Sequence, residues 1–289
     1  MNRLMLSACA LGLLVGVAHA QPAKLPVVGD SLPQNGAPGW PDNILWLYDA
    51  PSFPDSAGKI VVHWFCAAKV ATCTDDLARV ITLKENNPRV YVIAYINGAK
   101  RDAQKLDPIR GSEGVGRGTV AFGPGTTALF KQMAITGPAS LVVDVDNKIA
   151  LVSTGSSPAE LDARDAKVNA LASAIHEYTA SAEGPKTVKP NEKFTLTMKI
   201  QLAGWLRYSK KPGTRQDFTV MVPKDIKCDN TTLRGDQLKV VDQLLTASVT
   251  CSGPRGNYEA RAQVNFGYET PSKATGIGTD GTTWKFSIQ

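Results

Sequence analysis

Lys59-Ile60-Val61-Val62-His63-Trp64-Phe65-Cys66, then Ala67-Ala68-Lys69-Val70-Ala71-Thr72-Cys73, then Thr74-Asp75-Asp76-Leu77: this run of the sequence decides the fold. Its first part is an unbroken apolar run, which suits a strand buried on both faces. A helix follows. Thr72 or Thr74 can cap it, Asp75 and Asp76 favour its first turn, and Leu77, Val80, Ile81 and Lys84 recur at helical spacing. Asn86-Asn87-Pro88 stops the helix, and Val90 to Ile96 reads as a second buried strand. Strand, helix and strand in this order imply a parallel crossover.

Outward from this unit the signals change. Asn97 to Gly125 is polar and glycine-rich and reads as a surface loop, including the GSEGVGRG run at Gly111 to Gly118. No apolar strand immediately precedes those glycines, so the strand-to-helix context of a phosphate-binding loop is missing. A short helix is expected from Thr126 to Met133. Leu141 to Val143 and Ile149 to Val152 then form a hairpin across Asp144 to Lys148. Beyond Ser156-Ser157-Pro158 a long helix is expected to about Tyr178, with Leu161, Val168, Leu171, Ile175 and Tyr178 along one face.

Residues 181–190 read as a linker by composition, and after them the period becomes two. Phe194, Leu196, Met198 and Ile200 share one face, as do Phe218, Val220 and Val222, then Ala247, Val249 and Cys251, then Ala260, Ala262, Val264 and Phe266. Short alternating strands between Gly, Pro and Asn turns predict an all-β, immunoglobulin-like sandwich over residues 191–289.

The N-terminus reads as an export signal. Arg3 precedes an apolar stretch, Leu4 to Ala18, and Ala18-His19-Ala20 offers a cleavage site after residue 20. Leu6-Ser7-Ala8-Cys9 also fits a lipoprotein pattern, but only Leu4 to Leu6 would then form the apolar core. The stretch is shorter than the ~20 residues of a spanning helix, and no later segment suits a bilayer. The expected location is therefore periplasmic or secreted, with residues 21–43 as an extended lead-in. The net charge of +6 is mild for 289 residues and its Lys and Arg are scattered among acids, which argues against a nucleic-acid partner.

Cleavage leaves Cys66, Cys73, Cys228 and Cys251, which in an exported chain suggest two sequence-local disulfides. Cys228–Cys251 is expected to be structural, contributing about 3 kcal/mol by loop closure. His63 and His176 are the only other histidines after residue 20, so a metal site has few ligands to draw on and neither metal nor cofactor is expected.

Residues 44–180 resemble the TlpA/ResA-like branch of exported thioredoxins. Gly58 to Val62 is similar to the family's strand entry, Phe65 to Cys73 aligns without a gap to F-W-A-x-W-C-x-x-C, and Phe130 to Asp144 is similar to the helix, cis-proline and strand facing that motif. The resemblance implies a thioredoxin fold and a groove built from Val70, Gly137 and a cis Pro138, able to hold a protein partner or extended peptide. It also locates a departure. The family's attacking cysteine falls on Val70 and its second cysteine on Cys73, while Cys66 stands where an aromatic residue is usual. Disulfide exchange needs an approachable thiolate, and valine has none.

Three readings of Cys66 and Cys73 stay open. They form a structural staple worth roughly 2.5 kcal/mol, a redox-active pair in which the start of a helix activates Cys73, or two buried free thiols. A peroxiredoxin-like peroxidase fits less well, because Val70 occupies the place of that family's threonine. His63, three residues before Cys66 on the strand, points to the opposite face and reads as a core residue. The expected function is thiol–disulfide handling with a degenerate dithiol motif. The alternative is a non-enzymatic binding or scaffold protein using the groove or the β-sandwich.

Overall fold

The computed structural model describes residues 24–32, 43–47, 53–106, 119–209 and 216–289, with residues 41, 50, 51 and 211. The expected signal segment, much of the lead-in and the Gly111 to Gly118 run lie outside the described residues.

The first part of the chain forms β1 (Leu45–Trp46), α1 (Phe53–Ser56), β2 (Ile60–Ala67), α2 (Cys73–Asn86), β3 (Val90–Asn97), α3 (Lys100–Leu106), β4 (Thr119–Phe122), α4 (Pro124–Gln132), β5 (Ala139–Val143), β6 (Ile149–Thr154) and α5 (Pro158–Ser173). Its strands make one sheet in the order β1-β4-β3-β2-β5-β6. β2, β3 and β4 run parallel, whereas β5 runs antiparallel to β2 and β6 to β5. This is a thioredoxin-like arrangement: a parallel crossover through α2, then an antiparallel hairpin and a closing helix.

The apolar run of β2 feeds two cores, because successive side chains point to opposite faces. Ile60, Val62, Trp64 and Cys66 pack with Leu77 and Val80 of α2 and Val168 and Ala172 of α5. Val61 and Phe65 pack with Tyr95, Leu129, Phe130 and Leu141 on the other side. Each such fully buried aliphatic contributes roughly 1.5–3 kcal/mol.

Three expectations about this part need correction. The stretch Asn97 to Gly125 is not one loop: it carries α3, β4 and the start of α4, and β4 extends the sheet by pairing with β3 from Ile93↔Thr119 to Tyr95↔Ala121. Its four residues, Thr119 and three apolar ones, are too few to show a period. Second, α5 ends at Ser173, and Tyr178 already belongs to the next strand. Third, no described peptide bond is cis, so the Gly137–Pro138 bond is trans. Pro138 precedes β5, where no donor is required of it, and its carbonyl accepts the Gly155 N–H at 2.8 Å.

The rest of the chain is rich in β-structure: β7 (Tyr178–Glu183), β8 (Thr187–Val188), β9 (Phe194–Leu202), β10 (Arg207–Tyr208), β11 (Asp217–Met221), β12 (Lys227–Cys228), β13 (Thr232–Arg234), β14 (Lys239–Val241), β15 (Leu244–Ser252), β16 (Gly256–Glu269) and β17 (Thr275–Ile288). They form two sheets, β12-β15-β9-β7 with β14 on β15, and β13-β11-β16-β17-β8 with β10 on β16. The alternating residues singled out from the sequence meet in one core, from Phe194, Leu196 and Met198 to Val264 and Phe266. The expected linker at 181–190 is instead part of these sheets: β7 pairs with β9 and β8 with β17. Its small, polar residues suit an exposed edge strand, which resembles a linker in composition.

The two parts meet at the ends of β2 and β3 opposite Cys66. Gly58, in the left-handed region at φ +74°, lies under the indole of Trp205, where a β-carbon would come within 2.4 Å of Nε1. The Arg89 guanidinium donates to the carbonyl of Ile175 and the carboxylate of Glu177, tying the start of β3 to the segment between α5 and β7.

Candidate functional site

β2 delivers Cys66 near its end and α2 begins on Cys73, so the six residues between the two cysteines form a tight bridge. The Val70 N–H donates to the Ala67 carbonyl at 2.9 Å, and the Cys73 N–H donates to the Val70 carbonyl at 3.2 Å. Cys66 and Cys73 are joined as a disulfide with their Cα atoms 6.0 Å apart. Both residues are 0 % exposed. Val70, half-buried, packs onto the apolar cluster that contains both cysteines.

Thr72 occupies the N-cap of α2, but its side chain makes no capping bond. Its hydroxyl instead lies 3.0 Å from that of Ser156, beside α5. Ser157 caps α5 in a reciprocal capping box with Glu160.

Gly137 and Pro138 do form a cleft, of about 380 Å³, with Leu25, Ile135, Thr154 and Gly155. Val70 is not among the residues that line it. Of the expected groove, the structure therefore brings Gly137 and Pro138 together and packs Val70 instead against the cluster that contains Cys66 and Cys73.

One turn of α2 past Cys73, Asp76 anchors an ionic network that sequence reasoning missed. Arg164 Nη1 donates to Asp76 Oδ1 at 2.7 Å, and the Trp64 indole N–H donates to Asp76 Oδ2 at 2.6 Å. Arg164 Nε reaches Asp165, which Arg79 of α2 also binds. Arg164 is 0 % exposed and Asp76 3 %. The signal in the sequence was a position: Arg164 falls on the α5 face shared by Leu161, Val168 and Ala172, where a charge needs a buried partner. Asp76 was read only as a helix-start acid.

His63 is buried on the opposite face of the sheet from Cys66, its Nδ1 3.2 Å from the Tyr95 hydroxyl. Burial pulls its pKa from 6.5 down to about 3, so the imidazole is neutral. Among the described residues no three His, Cys, Asp or Glu side chains cluster as metal ligands. No described helix is long and apolar enough to cross a membrane.

In the second part, Cys228 of β12 stands directly opposite Cys251 of β15, and the two form a disulfide with Cα atoms 4.0 Å apart. Cys251 faces the core, as its alternation predicts, and Cys228 is half-buried.

No protein-family model matches this sequence, and no curated protein matches it. Solved structures similar to it cover about half of the chain. One is from Chlorobium tepidum, assigned as a thiol:disulfide interchange protein DsbE, at 23 % identity over 52 % of this chain and 99 % of that chain, with a TM-score of 0.39. The thioredoxin domain of a thiol-disulfide oxidoreductase from Bacteroides vulgatus is 14 % identical over 52 % of this chain and 99 % of that chain, TM-score 0.37. A secreted Mycobacterium tuberculosis disulfide oxidoreductase is 17 % identical over 40 % of this chain and 84 % of that chain, TM-score 0.31.

Proposed function

We propose that this chain is an exported, TlpA/ResA-like thioredoxin relative that serves thiol–disulfide handling as a binding partner and not as an attacking oxidoreductase. One observation carries the reading: Cys66 and Cys73 are bonded and fully buried, and Val70 packs against their cluster where an approachable nucleophile would stand. In-line attack by an external thiolate has no path to either sulfur in this arrangement. The bond then acts as a staple between β2 and α2. What remains usable is the cleft at Gly137 and Pro138, wide enough for an extended segment and lined by Leu25 and Ile135 as apolar contacts.

In this proposal the chain has two domains, a thioredoxin-like one ending with α5 and an immunoglobulin-like sandwich beginning at β7. The sandwich is fixed by Trp205 and Arg89 to the end of the first domain remote from Cys66, which leaves the cleft end open to a partner. A second reading, in which Cys66–Cys73 exchanges during a local opening, draws support from Cys73 being the first residue of α2, where the helix dipole stabilises a thiolate.

Gly137→Arg tests the cleft. Gly137 lines the cleft and a β-carbon there meets nothing within 4 Å, so a long side chain is accommodated at its rim without disturbing the fold. With carboxymethylated, permanently unfolded α-lactalbumin as probe, the unmodified chain should bind and the variant should lose about tenfold in affinity, some 1.4 kcal/mol, at an unchanged melting temperature. Equal binding by both, or none by the unmodified chain, sinks the cleft reading.

A further inference from the structure

The two disulfides differ in what surrounds them. Cys66 and Cys73 are both 0 % exposed, although Thr72 and Thr74 beside Cys73 are exposed. Cys228 lies half-buried between exposed Lys227 and Asp229, on a strand of two residues at the edge of its sheet. The bond also has a topological position. β12 belongs to one sheet, and only three residues later β13 pairs with β11 in the other, so Cys228–Cys251 pins the strap that crosses between sheets.

The two bonds cannot exchange with each other. Cys66 lies roughly 20 Å along β2 from the joint between the two parts, Cys251, paired with Phe194 at the start of β9, lies roughly 26 Å along β9 from Leu202 near that joint, and the two cystines belong to separate cores. Any exchange at Cys228–Cys251 therefore takes an external thiol.

We infer that Cys228–Cys251 is the exchangeable disulfide of this chain, with Cys228 the sulfur that accepts an incoming dithiol. One thiolate of the dithiol attacks Cys228 Sγ, forming a mixed disulfide and breaking the bond to Cys251, whose sulfur leaves with the electron pair and takes a proton. The second thiol of the dithiol, as thiolate, attacks the first dithiol sulfur in the mixed disulfide and releases Cys228 as a thiolate, which is protonated in turn. The dithiol becomes a disulfide and the cystine becomes two thiols. Only the two ladder residues of β12 need to open for attack. Cys251 then stays on the core face as a small apolar residue, and Cys228 becomes a thiol at the sheet edge beside a released strap. This inference is independent of the cleft, and loss of binding in Gly137→Arg does not bear on it.

The test is graded reduction of the unmodified, oxidised protein with dithiothreitol, then acid quench, denaturation, alkylation and mass mapping of the four cysteines. Cys228 and Cys251 should reach half-reduction at a dithiothreitol concentration about tenfold or more below that for Cys66 and Cys73. Trypsin should then cut after Lys224 or Lys227 while the first part stays intact. Reduction of Cys66–Cys73 first, or of both bonds together, overturns the inference. A second measurement compares native-state labelling by Ellman's reagent: Cys251→Ser should expose Cys228 to rapid labelling, and Cys228→Ser should leave Cys251 slow. The reverse order overturns the assignment of Cys228. The graded reduction needs no variant and decides even if either substitution unfolds.

Discussion

Arg164 Nη1 sits 2.7 Å from Asp76 Oδ1, with the arginine on α5 and the aspartate one turn past Cys73 on α2. Desolvating two charges is expensive, and their attraction together with the bond from Trp64 offsets that cost. Among the described residues Arg164 Nη2 has no hydrogen-bond partner, so the compensation is incomplete. Removing one partner strands a buried charge, whereas removing both does not. Arg164→Met should therefore lower stability by about 3–5 kcal/mol in urea unfolding, and Asp76→Asn with Arg164→Met should recover part of that loss, since Asn still accepts from Trp64. A double variant less stable than the single one would contradict this account of the pair.

His63 gives the stability of the first part a defined pH dependence. Its folded pKa of about 3 lies below the unfolded value of 6.5, so below pH 6.5 the unfolded chain binds a proton that the folded chain does not. Stability is then full above pH 6.5 and falls as pH drops toward 3. Between pH 6.5 and 4.5 the loss from this group should be about 2–3 kcal/mol. In His63→Phe the slope over that window should flatten, as followed by denaturant midpoints at each pH. An equally steep decline in the variant would assign the acid sensitivity to other groups.

The buried strands were legible in the sequence because they are long and wholly apolar. Lys59 to Cys66 and Val90 to Ile96 announce themselves, and the period-two runs from Phe194 to Phe266 give their core faces residue by residue. β4 and β7 were not legible, for different reasons. β4 has four residues, too few for a period, and β7 is an exposed edge whose Ser, Ala and Thr carry no apolar face. At the candidate site the pairing of Cys66 with Cys73 followed from spacing and export. Their complete burial did not, because it depends on Val70 packing against their cluster and on α5 closing over α2, contacts that only the three-dimensional packing creates. The peptide bond before Pro138 was expected to be cis from resemblance alone, and nothing in the local sequence Thr136-Gly137-Pro138 demanded it.

Gly58 and Trp205 define the joint between the two parts. Gly58→Ala adds a methyl where the indole already lies, at a φ that disfavours any side chain, so it should destabilise by about 1–2 kcal/mol. Trp205→Ala removes the obstacle, and the two changes together should cost less than the sum of each alone in a double-mutant cycle. Strict additivity would show that the indole does not rest on Gly58 in solution.

Val70 is the residue whose replacement most directly probes the chemistry. The Cys73 N–H already donates to the Val70 carbonyl, so a cysteine at position 70 would stand one tight turn before Cys73, in the C-x-x-C spacing that disulfide exchange uses. Cys73 is engaged by Cys66, however, and Val70→Cys alone would leave three sulfurs competing for one bond. Adding Cys66→Ala removes the competitor and leaves position 70 as an exchangeable thiol near a helix start, where its thiolate is favoured. In an insulin-reduction assay the unmodified chain should stay at background, Val70→Cys should rise above it, and Cys66→Ala with Val70→Cys should rise furthest, about tenfold or more over background. Circular dichroism melting should accompany the assay, because loss of the Cys66–Cys73 staple itself removes roughly 2.5 kcal/mol. If the unmodified chain already reduces insulin at the rate of an ordinary thioredoxin, position 70 does not correspond to the attacking cysteine, and the buried cystine opens far more readily than its surroundings indicate.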